Sequence, residues 1–129
     1  MAIDLGGVTV QAVRVALDAA VLRHVAIANN IANAKTPGYQ PLRVSFEDQL
    51  QRAGQMLGGS DDAALKSQLT RLAGEIESGR ALKNADNGPV QLDREMVSLA
   101  DNSLRYRALL QGMGTRTAIL KLAINSTGV

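Results

Sequence analysis

Apolar residues recur at steps of three and four along the first quarter of the chain. Val10, Val13, Leu17, Ala20, His24, Ile27, Ile31 and Ala34 make one series, interrupted only by the histidine. An average spacing near 3.5 residues is a coiled-coil seam. A second series, Val8, Ala12, Val15, Ala19, Leu22 and Ala26, lies on another side of the same helix and is also apolar. One stripe packs on one neighbour, so two stripes leave an uncovered apolar face unless the helix is flanked twice. The pattern predicts a long N-terminal helix that needs two neighbours.

Near the other end, Leu92, Met96, Leu99, Ser103, Tyr106, Leu110, Met113, Thr117, Leu120 and Ile124 repeat at alternating four and three. Pro89 and Asp93 mark the start of this helix, because proline fits a first turn and an acid suits the positive end of the dipole. Arg116 and Lys121 sit toward the negative end. Gly112 and Gly114 each cost about 1 kcal/mol relative to alanine inside a helix. They imply close approach of a neighbour or tolerated flexibility.

The middle is less regular. Ser45 with Asp48 resembles a capping box, and Phe46, Leu50, Ala53 and Leu57 follow at helical steps, which predicts a short helix over about 45–57. Gly58, Gly59 and Ser60 break it. Leu65, Leu69, Leu72 and Ile76 continue as a further helix, weakened by Gly74 and Gly79, and "NADNGP" at 84–89 is a turn cluster. Residues 58–88 therefore read as a flexible or partly ordered insert. The expected fold is mainly all-α, with long N- and C-terminal helices paired as an antiparallel coiled coil around a short, partly irregular central insert. Residues 1–39 and 89–129 then form one helical core domain, and 40–88 lie between them. In that pairing Leu17 and Leu110 fall at buried positions, and Arg14 and Arg107 fall off both seams. Because one chain cannot bury both N-terminal stripes, its ends are expected to order fully only beside neighbours.

Turn residues concentrate in one place, "NNIANAKTPGYQ" at 29–40. Asn33 suits the left-handed conformation that ends helices. Pro37 followed by Gly38 matches the centre of a type II turn, where proline fixes one backbone angle and glycine accepts a positive one. Asn29, Asn30 and Asn33 offer amides to unpaired backbone groups, Thr36 opens the turn, and Tyr39 is placed to fold back on the last helical turn.

Composition narrows the function. The 129 residues suit one domain, and 46% are hydrophobic, yet only Tyr39, Phe46 and Tyr106 are aromatic. Leu, Ile, Val and Ala must supply the apolar surface, a palette for helix on helix that offers no platform for stacking bases. A net charge of +2 argues against nucleic-acid binding. No cysteine is present, so disulfides and thiolate chemistry are excluded. The start of the chain does not read as a cleavable signal peptide, and no uncharged run is long enough to span a bilayer.

A long heptad helix joined to "ANNIANAKTPGY" at 28–39 resembles the signature of the flagellar axial proteins, the rod and hook family. "LDREMVSLADNSLRYRALLQGM" at 92–113 is similar to the proximal-rod members, and the short middle agrees with them. The resemblance covers about 8–57 and 87–125. It implies a structural subunit of the basal-body rod, exported unfolded through the flagellar type III apparatus and assembled in the periplasm. The implied partners are further copies of the same subunit, the rod protein FlgC, the junction protein FliE and membrane-ring components, with neither nucleic acid nor direct lipid binding.

Other classes fare worse. His24 has no Cys or paired carboxylate at ligand spacing, so it reads as a packing residue, with no metal or cofactor expected. Asp61 with Asp62 and Asp93 with Glu95 read as solvated faces. No phosphate loop or nucleophilic triad appears, and an enzyme is the weakest reading. A helical adaptor that binds a partner helix would explain the seams and leave "NNIANAKTPGY" unexplained. A membrane-surface helix is suggested by Arg105, Arg107, Arg116 and Lys121, but Asp101 and the tight heptads favour protein contact.

Overall fold

The structure is a computed structural model that describes residues 7–85 and 88–127, apart from the side chains at 117, 120 and 123–127. The seam positions Thr117, Leu120 and Ile124 therefore have side chains outside the described residues. In chain order the elements are α1 (Val8–Ala32), β1 (Leu42–Val44), α2 (Glu47–Met56), α3 (Asp62–Glu77), β2 (Leu82–Asn84) and α4 (Leu92–Thr127). The fold is mainly all-α, and the long first and last helices pack along one another in opposite directions.

Both N-terminal stripes are used, by different neighbours. The second stripe buries Ala12, Val15 and Ala19 in a core with Phe46, Ala53, Leu65, Leu69 and Leu72. Small alanines on α1 let the leucines of α3 approach closely. Each fully buried leucine contributes roughly 1.5–3 kcal/mol. The first stripe turns toward α4 only in part: Ile27 and Ala20 are buried, Val10, Val13, Leu17 and Ile31 are half-buried, and His24 is exposed.

The stretch 58–88, expected as flexible or partly ordered, carries α3 and β2. Leu65, Leu69, Leu72 and Ile76 supply much of the core, and their burial outweighs Gly74 in the last turn. Asp61 caps α3 by accepting a hydrogen bond from the Ala64 amide at 3.0 Å. Gly79, at φ +75, lets the chain leave the helix sharply. β1 then pairs antiparallel with β2, Leu42 opposite Asn84. This two-stranded ribbon had no legible signal.

Two expectations about helix ends are corrected. Ser45 and Asp48 form no capping box, because α2 begins at Glu47 and the fully buried Phe46 occupies the cap position. Asn33 ends α1 with φ −109 and is not left-handed. Its side chain instead donates to the Asn29 carbonyl at 2.9 Å, an acceptor it shares with the Asn33 backbone N–H at 3.1 Å.

The α1–α4 interface also differs from the predicted seam. Leu99, Ser103, Tyr106 and Met113 are half-buried, but Glu95, Asn102 and Leu109 turn inward beside them, and the expected Met96 and Leu110 are exposed. That slip of one residue turns α4 by roughly 100° at those positions. Leu110 is 46% exposed and Met96 53%, whereas Glu95 and Asn102 are each 4% exposed. Glu95 therefore does not belong to a solvated face. The physical reason lies in polar contacts that only these side chains make.

Candidate assembly site: an asparagine clamp between two long helices

Asn30 sits in the last full turn of α1 with 1% of its surface exposed. Its Oδ1 accepts from the Leu42 amide at 2.7 Å and from the Tyr39 hydroxyl at 2.9 Å. Its Nδ2 donates to the Leu42 carbonyl at 3.0 Å and to Glu95 Oε2 at 3.2 Å. The amide thus pairs with both backbone groups of Leu42 as a neighbouring strand would, and fixes β1 to the end of α1. All four of its hydrogen-bonding positions are filled, the condition under which a buried amide stabilises.

The approach of β1 to Asn30 is set by the turn. Tyr39 N–H donates to the Thr36 carbonyl at 3.3 Å, and Gly38 between them has φ +76. Pro37 and Gly38 themselves are exposed, so they act on the course of the backbone and touch nothing further. Thr36 Oγ1 donates to Asn33 Oδ1 at 3.2 Å, and Asn29 Nδ2 to the Val25 carbonyl at 3.0 Å. Burial first, and the Glu95 carboxylate second, push the Tyr39 hydroxyl above its ordinary pKa. It therefore remains a hydrogen-bond donor through the neutral range.

Two more contacts position α4 and α2. Asn102 Nδ2 donates to the Ala20 carbonyl at 2.8 Å, and with the Asn30–Glu95 bond this fixes the register of α4 on α1. Asn102 Oδ1 is buried without a partner among the described residues. Arg23 forms a two-pronged ion pair with Glu47, its second bond at 2.9 Å, and its guanidinium lies 5.2 Å from the Phe46 ring centre. That pair clamps the first turn of α2 to α1. A cleft of about 370 Å³ between α1, β1 and α4 is lined by these charged and amide groups.

Glu95, Asn102, Arg23 and Glu47 escaped the sequence reading. Glu95 and Asn102 are seven residues apart and in phase with Leu99 and Tyr106, a signal hidden by apolar Met96 one place on from Glu95 and by the heptad that runs on from it. Among the described residues no group of three or more His, Cys, Asp and Glu side chains is placed to hold a metal. His24 instead borders a shallow groove with Val21, Ser103, Tyr106 and Arg107. No helix is long and apolar enough to cross a membrane among those residues.

Asn30, Gly38 and Tyr39 of the clamp fall within a segment that known proteins share. A family model described as "Flagella basal body rod protein" matches residues 14–40, from the middle of α1 through the Pro-Gly turn. The flagellar basal body rod protein FlgB of Escherichia coli (strain K12) is 31% identical over 112 residues, covering 76% of this chain and 79% of the relative. The chain belongs to the FlgB family. FlgB of Bacillus subtilis (strain 168) is 29% identical over 124 residues, 90% of this chain and 92% of its own. FlgB of Borrelia hermsii is 33% identical over 103 residues, 70% and 76% of the two chains. No solved structure matches. The match to Bacillus FlgB spans nearly the whole chain, so the resemblance extends across α3 as well as the two long helices.

Proposed function

We propose that this chain is a structural subunit of the flagellar basal body rod, at the proximal end, where it polymerises with further copies of itself into part of the shaft between membrane ring and distal rod. The observation that carries this reading is the Asn30 clamp. The segment matched by the rod family is the one whose asparagine, turn glycine and tyrosine lock α1, β1 and α4 into one rigid body. A torque-bearing subunit needs such a joint between its long helices, and no reacting group is present in it.

The finer assignments extend that proposal by resemblance to the rod family. FlgC and FliE are the expected neighbours along the shaft, with the membrane ring below. Export proceeds through the flagellar type III apparatus, and the working location is the periplasmic part of the basal body. A chain with no cysteine passes an export channel and an oxidising compartment without thiol chemistry.

Deletion of the gene and complementation test the proposal. A tagged copy should restore swimming and appear in isolated basal bodies at the rod base by immunogold electron microscopy. A discrete soluble particle, with normal rods in the deletion strain, would instead identify a helical adaptor.

A further inference from the structure

Independently of the rod reading, we propose that the exposed face of the β1–β2 ribbon and the end of α3 form a docking site for an extended acidic segment of a partner protein. Arg43 of β1 stands directly opposite Lys83 of β2, and both are exposed. On either side of them Ser45 N–H donates to the Ala81 carbonyl at 2.9 Å and Ala85 N–H to the Pro41 carbonyl at 2.8 Å. Arg43 and Lys83 are thus a hydrogen-bonded pair, with Cα atoms about 5.5 Å apart and both side chains on one face. Two cations that close lie inside the Debye length of about 8 Å at physiological salt, and they repel. A ribbon with three residues in each strand gains nothing from that pairing.

Lys83 borders a cleft of about 580 Å³ that also presents Arg71 and Arg80. The Ser78 hydroxyl accepts from Arg80 Nε at 3.0 Å, which steadies the guanidinium and leaves its terminal N–H groups to a ligand. Glu75 is the acid in the lining, yet among the described residues none of Arg43, Arg71, Arg80 and Lys83 forms an ion pair. Gly74, in the same lining, has nothing within 4 Å of an added Cβ, so the cleft is open along the backbone of α3.

The arrangement selects the occupant. The cations are spread over α3, the turn after it and β2, and the cleft is far larger than an inorganic anion, so the complement is a chain that carries several carboxylates. Arginine forks and a lysine ammonium suit such groups. Among the described residues no large apolar side chain lines the cleft, which removes the insertion that holds a protein on a lipid surface. No aromatic ring lines it either, and Phe46 nearby in sequence is fully buried, so nucleic-acid bases have nothing to stack on.

The test uses the purified full chain, a fluorescent octaglutamate peptide and a water-soluble carbodiimide, which joins a carboxylate to an amine only where the two are in contact. Peptide coupling to Lys83, mapped by mass spectrometry, should exceed that to Lys35, Lys66 or Lys121, the other lysines, by at least about five-fold. In fluorescence anisotropy at low salt, Arg71→Gln with Arg80→Gln should weaken binding at least about five-fold, and Lys35→Gln with Arg94→Gln, the same change of charge, less than about two-fold. Lys83→Gln should leave the urea midpoint no lower than the parent's, because it removes a repulsion, whereas a purely structural lysine would lower it. Coupling is read on the parent chain, so it decides the matter even where a double variant fails to fold. Absent binding, equal coupling to all four lysines or equal losses in the two double variants would overturn the site. Arginine-dependent binding of inorganic phosphate or of phosphatidylglycerol vesicles, without coupling of the peptide, would overturn the acidic segment as its ligand.

Discussion

The Asn30 amide donates to Glu95 Oε2 at 3.2 Å, joining residues 65 positions apart at a point where neither is exposed to more than 4%. This bond ties the end of α1 to the beginning of α4, and the same amide holds both backbone groups of Leu42. Replacing Asn30 by Ala should destabilise the purified chain by about 2–4 kcal/mol, because several buried groups lose partners at once. Urea unfolding followed by circular dichroism measures this. A change under about 0.5 kcal/mol would mean that the clamp is not formed in solution.

Gly38→Ala should cost about 1–2 kcal/mol in the same assay, from its positive φ alone, since nothing lies within 4 Å of an added Cβ. Gly38→Asn, which tolerates that conformation better, should cost less. Equal losses for both would point to a steric or contact role for Gly38 that the structure lacks.

Tyr39 gives a pH signature. Its pKa is raised on folding by burial and then by Glu95, so its contribution is complete below the unfolded value near 10 and declines as pH rises through the higher folded value. Stability of the parent should fall above about pH 10. Tyr39→Phe should lose about 1 kcal/mol at neutral pH and show a shallower alkaline decline. Superimposable alkaline profiles would remove Tyr39 from the clamp.

Leu69→Ala should cost about 2–5 kcal/mol, since Leu69 is fully buried in the core between α1 and α3. Native-state hydrogen exchange should accordingly rank α3 and the facing half of α1 as most protected. Rapid exchange throughout α3 would contradict its place in the core.

How much of this was legible is clearest residue by residue. The two long helices announced themselves because burial on any side of a helix imposes a three-and-four spacing, and Pro37-Gly38 announced its turn because few residues accept a positive φ. The facing positions of α4 were misread because Met96 and Leu110 look better than Glu95 and Asn102 to any rule that counts hydrophobicity. Only the partners, the Asn30 amide and the Ala20 carbonyl, make those two polar side chains the buried ones. Leu65, Leu69, Leu72 and Ile76 were visible at helical spacing but were discounted for nearby glycines, although burial of four large side chains exceeds the cost of Gly74. Of the clamp, the sequence offered Asn30, Gly38 and Tyr39 and withheld Glu95 and Leu42, which join it through tertiary contact alone.

The central claim is the proposal that this chain assembles with neighbouring subunits in the rod, and Leu110→Asp, on the exposed side of α4, tests it most directly. Leu110 is 46% exposed, so the purified variant should unfold within about 1 kcal/mol of the parent. In cells exporting it at the parent's level, rods should be missing and swimming abolished, whereas Ser67→Asp, exposed on α3 away from that side, should leave both nearly intact. Full-length rods and normal swimming with Leu110→Asp would contradict the account.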